Sequence, residues 1–258
     1  MNTMLRTLKS RNAILYGFGL ICLIGGVVCI GVSFVTVREV LGINAFIKPA
    51  KFFISIWILC WTMACFTGML IQRRKVLIYS WVFVVMMTIE MVIITGQAAL
   101  GKLSHFNITS SLNARLFDLM GLAITVFTLW TAYIGYLFFK HKPVGIKSAY
   151  LWGIRLGILL FVIFAFEGFV MAIRLSHTVG APDGGPGLPI TNWSTRYGDL
   201  RVAHFFGMHA IQLLPLFGYY VAKRPRQVVF VAIVYFIGVS LLLAGALSGK
   251  PLLSSLSD

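Results

Sequence analysis

Charge is what this chain has least of. Charged residues fill 11% of its 258 positions, and acids are the scarcer sign, seven against 22 Lys and Arg. A water-soluble domain carries about 25% charged residues, so this chain cannot cover a surface that faces water. A soluble enzyme is excluded, and the apolar content excludes a disordered tail. Cysteine is sparse as well. Cys22, Cys29, Cys60 and Cys65 form no C-x-x-C pair and lie inside apolar runs. A disulfide-stapled secreted domain is therefore excluded, and small packing residues are the simplest reading. No Walker loop, G-x-S-x-G elbow, H-E-x-x-H helix or dinucleotide fingerprint occurs. The last apolar run contains no lysine, which excludes a retinal protein.

What is abundant is apolar. Hydrophobic residues make up 59% of the chain, and the mean hydropathy is +0.91. A bilayer core of about 30 Å needs roughly 20 apolar residues in a helix. Seven segments qualify, at about 13–35, 52–71, 76–96, 113–139, 149–173, 200–222 and 228–247. The expected fold is all-α, a seven-transmembrane-helix bundle forming one integral membrane domain over 1–258. The first segment, preceded by Arg6, Lys9 and Arg11, is too long for a signal-peptide core and has no clear small-x-small cleavage site, so it reads as a retained helix.

The net charge of +15 then reports topology. With the N-terminus in the cytoplasm, the inner side receives clusters such as Arg73-Arg74-Lys75, Lys140-His141-Lys142 and Lys223-Arg224-Pro225-Arg226, thirteen basic residues in all and no acid. The outer side receives nine basic residues and all seven acids, Asp258 among them. Cytoplasmic loops carry the excess of Lys and Arg. The N-terminus is expected in the cytoplasm and the C-terminus in the periplasm. The partner of the basic clusters is the anionic inner leaflet of the lipid bilayer rather than nucleic acid.

Ionisable residues within membrane helices are costly and mark functional sites. Glu90 and Gln97 lie seven apart on one helix face, as do Glu167 and Arg174, and Asp118 and Thr125. Arg201, Met208 and Gln212 make a stripe on the sixth segment, flanked by His204 and His209. Lys51 begins a stripe on the second. Glu90 and Glu167 are the acid/base candidates. Lys48, Lys51, Gln97, Asn107, Arg174, Arg201 and Gln212 are the ligand-binding candidates. Structural readings stand beside these: Glu167 with Arg174 as an internal ion pair, and Lys48, Lys51 and Arg201 as contacts to lipid phosphates. The outer loop 177–199 reads as a periplasmic cap, because Trp193, Leu188 and Ile190 suit a folded segment better than its Gly/Pro stretch suits a spacer. Gly153 with Gly157, and Gly245 with Gly249, have G-x-x-x-G spacing, which suits close helix packing or a homo-oligomer.

His105, His204 and His209 are the metal or haem candidates, with His177 a weaker one. His204 and His209 are five apart, about 140° around a helix, so they do not face one ion together. Either joined to a loop histidine and a carboxylate would suit a divalent metal. Two axial histidines from different elements would suit haem.

The segments Lys48-Pro49-Ala50-Lys51-Phe52, Ser104-His105-Phe106-Asn107, Gly184-Gly185-Pro186-Gly187-Leu188-Pro189 and Asp199-Leu200-Arg201-Val202-Ala203-His204-Phe205-Phe206-Gly207-Met208-His209-Ala210-Ile211-Gln212 resemble an uncharacterised family of bacterial polytopic inner-membrane proteins. The resemblance spans about residues 40 to 220. It implies a bacterial cytoplasmic membrane and no particular chemistry. Three readings follow from the residues: a metal- or haem-dependent membrane enzyme or redox protein with a periplasm-facing polar pocket built from helices two to six; a small-solute or ion transporter using Glu90 and Glu167; and a non-catalytic sensor or assembly factor whose outer loops dock a periplasmic partner.

Overall fold

The structure, a computed structural model, describes residues 3–253. Asp258 lies outside the described residues. The chain divides into two compact units, the first ending at Leu137 and the second beginning at Phe138. Six helices are long and apolar enough to cross a membrane. The six match the predicted segments other than 200–222. That segment is also a helix, of 21 residues, but Arg201, His204, His209 and Gln212 lower its apolar content, and it is not one of the six.

The first unit holds α1 (Thr3–Arg11), α2 (Ala13–Val35), β1 (Glu39–Val40), β2 (Ile43–Asn44), α3 (Ile47–Thr67), α4 (Arg73–Ala99) and α5 (Ser111–Lys140), whose last residues pass into the second unit. Asn12 separates α1 from α2. Its extended backbone lets its side chain accept a hydrogen bond from Leu15 N, capping α2. Its amide donates to Thr67 Oγ1 and Ser80 Oγ at 3.0 and 2.8 Å, so one buried residue ties the starts of α2 and α4 to the end of α3. Higher up, α2 and α3 approach through glycine. A Cβ on Gly19 would sit 2.6 Å from the Trp61 ring, and one on Gly25 would sit 2.8 Å from the Phe53 ring. Large side chains join α4 to α5: Phe83 meets Phe127 edge-on at 5.0 Å, and the Tyr79 hydroxyl meets Thr131 Oγ1 at 3.3 Å. The hairpin β1–β2 turns at Leu41-Gly42, both with positive φ, as a two-residue primed turn requires.

The second unit holds α6 (Ser148–Arg174), β3 (Thr178–Val179), β4 (Gly198–Asp199), α7 (Leu200–Tyr220) and α8 (Pro225–Leu247). Here α6 and α7 pack backbone on backbone. A Cβ on Gly153 would meet Leu214 O at 2.5 Å, and one on Gly157 would meet Ala210 O at 2.9 Å. The expected G-x-x-x-G pair thus packs within the chain. Arg155 donates to Phe138 O at 2.8 Å and lies over the Phe139 and Trp152 rings, so its charge stays close to the helix end. Pro225 opens α8 at the first helical position, where its missing N–H costs nothing.

Candidate functional site

In the second unit, Glu167 on α6 is only 8% exposed. Its Oε2 lies 3.1 Å from His204 Nδ1 on α7. The ring can come this close because residue 168 is glycine, whose Cβ position is 3.1 Å from His204 Cε1. An ionised carboxylate only accepts hydrogen bonds, so Nδ1 carries the proton that it donates to Glu167. The lone pair of a neutral His204 then sits on Nε2. The other carboxylate oxygen, Glu167 Oε1, is buried with no hydrogen-bond partner. A buried acceptor left unpaired costs free energy, and a proton on that oxygen turns it into a donor. The pair is therefore joined by one hydrogen bond, with the second carboxylate oxygen buried beside it. Arg174, expected to join Glu167, stands exposed at the end of α6.

His209 faces away from this couple. Its Nδ1 meets Gln212 Oε1 at 3.2 Å and its ring packs on Phe205 at 4.3 Å. Arg201 is committed to the cap loop. It donates through Nε and Nη2 to Asp199 at 2.9 and 2.6 Å, and through Nη2 to Asn192 O. Asp199 is 1% exposed. It also caps α7 through Arg201 N and accepts from Ser194 N.

The loop 177–199 is folded, as its apolar residues suggested. Strands β3 and β4 pair, Gly187 bridges to Ser194, and the Trp193 ring packs on Phe205 and Phe206 at 5.4 and 6.0 Å. His177 does not join His204. It pairs with Asp183, Nδ1 to Oδ1 at 3.1 Å. Burial alone would raise the Asp183 carboxyl. The His177 imidazolium and hydrogen bonds from Ser176 and Thr178 outweigh that and hold it below the usual carboxylate range. The hollow under this loop has a volume of about 30 Å³, the space of a single water.

In the first unit, Glu90 on α4 is 6% exposed, and the Lys48 ammonium is the charge that acts on it. Lys48 Nζ lies 3.3 Å from His105 Nδ1, and Ser104 Oγ lies 3.0 Å from the same nitrogen. An ammonium has only donors, so Nδ1 accepts and the His105 proton sits on Nε2. Phe52, Phe106 and Phe117 surround that ring. Two turns further along the same face of α4, Gln97 Nε2 donates to Asn113 Oδ1 at 3.0 Å, while Gln97 Oε1 is buried without a partner. Asn107 is used by its own loop, donating to Leu103 O and accepting from Thr109. Lys51 is half-buried one turn after Lys48.

The predicted residues thus divide between the two units. Lys48, Lys51, Glu90, Gln97, His105 and Asn107 belong to the first; Glu167, Arg174, His177, Arg201, His204, His209 and Gln212 belong to the second. Among the described residues no three His, Cys, Asp or Glu side chains gather as metal ligands. Asn12, Asn113 and Asp183 are structural centres that sequence reasoning did not single out. Asn12 carried a legible signal, an Asn immediately before an apolar run. No family model, curated protein or solved structure matches the chain.

Proposed function

We propose that the chain is a multi-pass protein of the bacterial inner membrane that takes up and releases protons at the Glu167–His204 pair. Small-solute or ion movement coupled to protons is the activity such a pair serves best. The observation that carries the reading is the 3.1 Å contact from His204 Nδ1 to a buried Glu167 whose second oxygen has no partner. Intramembrane acids paired with histidine are the material of proton relays. The divalent-metal reading draws less support, because no three-ligand group of His, Cys, Asp or Glu is present among the described residues. The orientation with residues 177–199 in the periplasm, and seven spans, belong to the same proposal and rest on the charge bias of the loops.

The test is pH-difference infrared spectroscopy of the protein in vesicles. A carboxyl band in the difference spectrum that vanishes in Glu167→Gln and changes in His204→Ala is the expected result. An identical difference spectrum in wild type and Glu167→Gln would overturn the assignment.

The folded cap loop favours a second reading, a docking surface for a periplasmic partner. That reading expects a partner to co-purify with the wild type and to be lost from Trp193→Ala, which would loosen the loop from Phe205 and Phe206.

A further inference from the structure

We propose that the first unit binds one anionic phospholipid, with an acyl chain in the groove between α2 and α4 and the phosphate on Arg38 and Lys102. The groove encloses about 460 Å³ and is walled by Phe18 and Cys22 of α2, Phe53 of α3, and Met91, Thr95 and Gly96 of α4. That volume is in the range of built ligand pockets. Along α4 it runs from Thr88 to Ala99, about 16 Å at 1.5 Å per residue, a length that suits an extended acyl chain rather than a compact solute.

The wall explains its own shape. Gly96 has nothing within 4 Å of its Cβ position, so the absence of a side chain there opens space and serves no helix contact.

Charge at the mouth selects the headgroup. Just past α4, a Cβ on Gly101 would lie 3.3 Å from Arg38 Cδ. The Arg38 stem therefore lies against the helix end; Arg38 is exposed, and so is Lys102, the residue after Gly101. Two cations at the open end of an apolar channel complement a phosphate followed by a hydrocarbon chain.

The test is native mass spectrometry of the full-length protein, stripped of lipid in detergent and then titrated with phosphatidylglycerol or phosphatidylcholine of the same acyl chains. The wild type is expected to take up one phosphatidylglycerol about thirtyfold more tightly than phosphatidylcholine, the two nearby cations contributing about 1 kcal/mol each. Gly96→Phe fills open space and is expected to weaken both lipids at least tenfold with an unchanged unfolding temperature. Ala99→Phe, nearer the mouth, replaces it if that variant does not fold. Arg38→Gln combined with Lys102→Gln is expected to abolish the preference, so that the two lipids bind equally. Equal binding of the two lipids by the wild type, or undiminished binding by a folded groove-filled variant, would overturn the proposal.

Discussion

Asp183 accepts hydrogen bonds from Ser176 Oγ, Thr178 N and His177 N and faces the His177 ring. Each contact favours the ionised carboxylate, and together they hold its pKa below the ordinary value despite burial. A carboxyl whose pKa is lower folded than unfolded stabilises the fold at every pH above the unfolded value. That contribution disappears as pH falls through the folded one. The loop 177–199 is therefore expected to keep its protection at neutral pH and to open below about pH 4. Amide hydrogen exchange at Thr178 checks this, and Asp183→Asn is expected to exchange fast at all pH values. The sequence did not announce this contact, because His177 and Asp183 meet only after the chain has turned back on itself. The burial of Glu90 and Glu167 was legible, since both interrupt long apolar runs. Arg174 was read with Glu167 from its seven-residue spacing and instead stands exposed. It is the last residue of α6, where a guanidinium reaches water without following its helix face inward.

At the level of elements, helix ends yielded to the sequence where charge or a cap marks them and slipped where proline misled. The first segment runs over Ala13–Val35 as expected. The second starts at Ile47 rather than 52, because Pro49 falls within the first turn, where no N–H partner is needed. Lys48 and Lys51 are thereby carried on a helix instead of a loop. The short helix α1 carries Arg6, Lys9 and Arg11 ahead of the first apolar run. Glycine spacing was ambiguous in the sequence and is settled by neighbours. Gly153 abuts the α7 backbone at Leu214 and Pro215, whereas Gly245 has nothing within 4 Å. Gly249, its partner in the motif, has φ +77 and ends α8. Gly153→Ala must push backbone away from backbone, a cost of about 1–3 kcal/mol for overpacking. Gly245→Ala is expected to be neutral or slightly stabilising, since alanine is the better helix former. Thermal unfolding in detergent should separate the two, with a lowered midpoint for Gly153→Ala alone.

For the whole molecule, the question that decides topology is whether α7 crosses the membrane. Hydropathy alone leaves it out, yet its polar groups are not left to lipid. Arg201 is bound by Asp199, His204 by Glu167 and His209 by Gln212, while Gly207 and Gly218 set the helix directly against α6. A polar group that meets its partner within the protein has part of its insertion cost removed. The loop charges point to a seventh span that apolar content leaves out. Reporter fusions placed after Lys142, Asp183, Arg226 and Lys250 distinguish the cases. If α7 crosses, the reporters after Lys142 and Arg226 share the cytosolic side, and those after Asp183 and Lys250 share the other. If α7 stays on one side, the reporter after Arg226 joins that after Asp183, and the one after Lys250 moves to the side of Lys142. The first pattern is expected, because Lys223, Arg224 and Arg226 would otherwise lie on the periplasmic face, against the bias that every other short basic loop obeys.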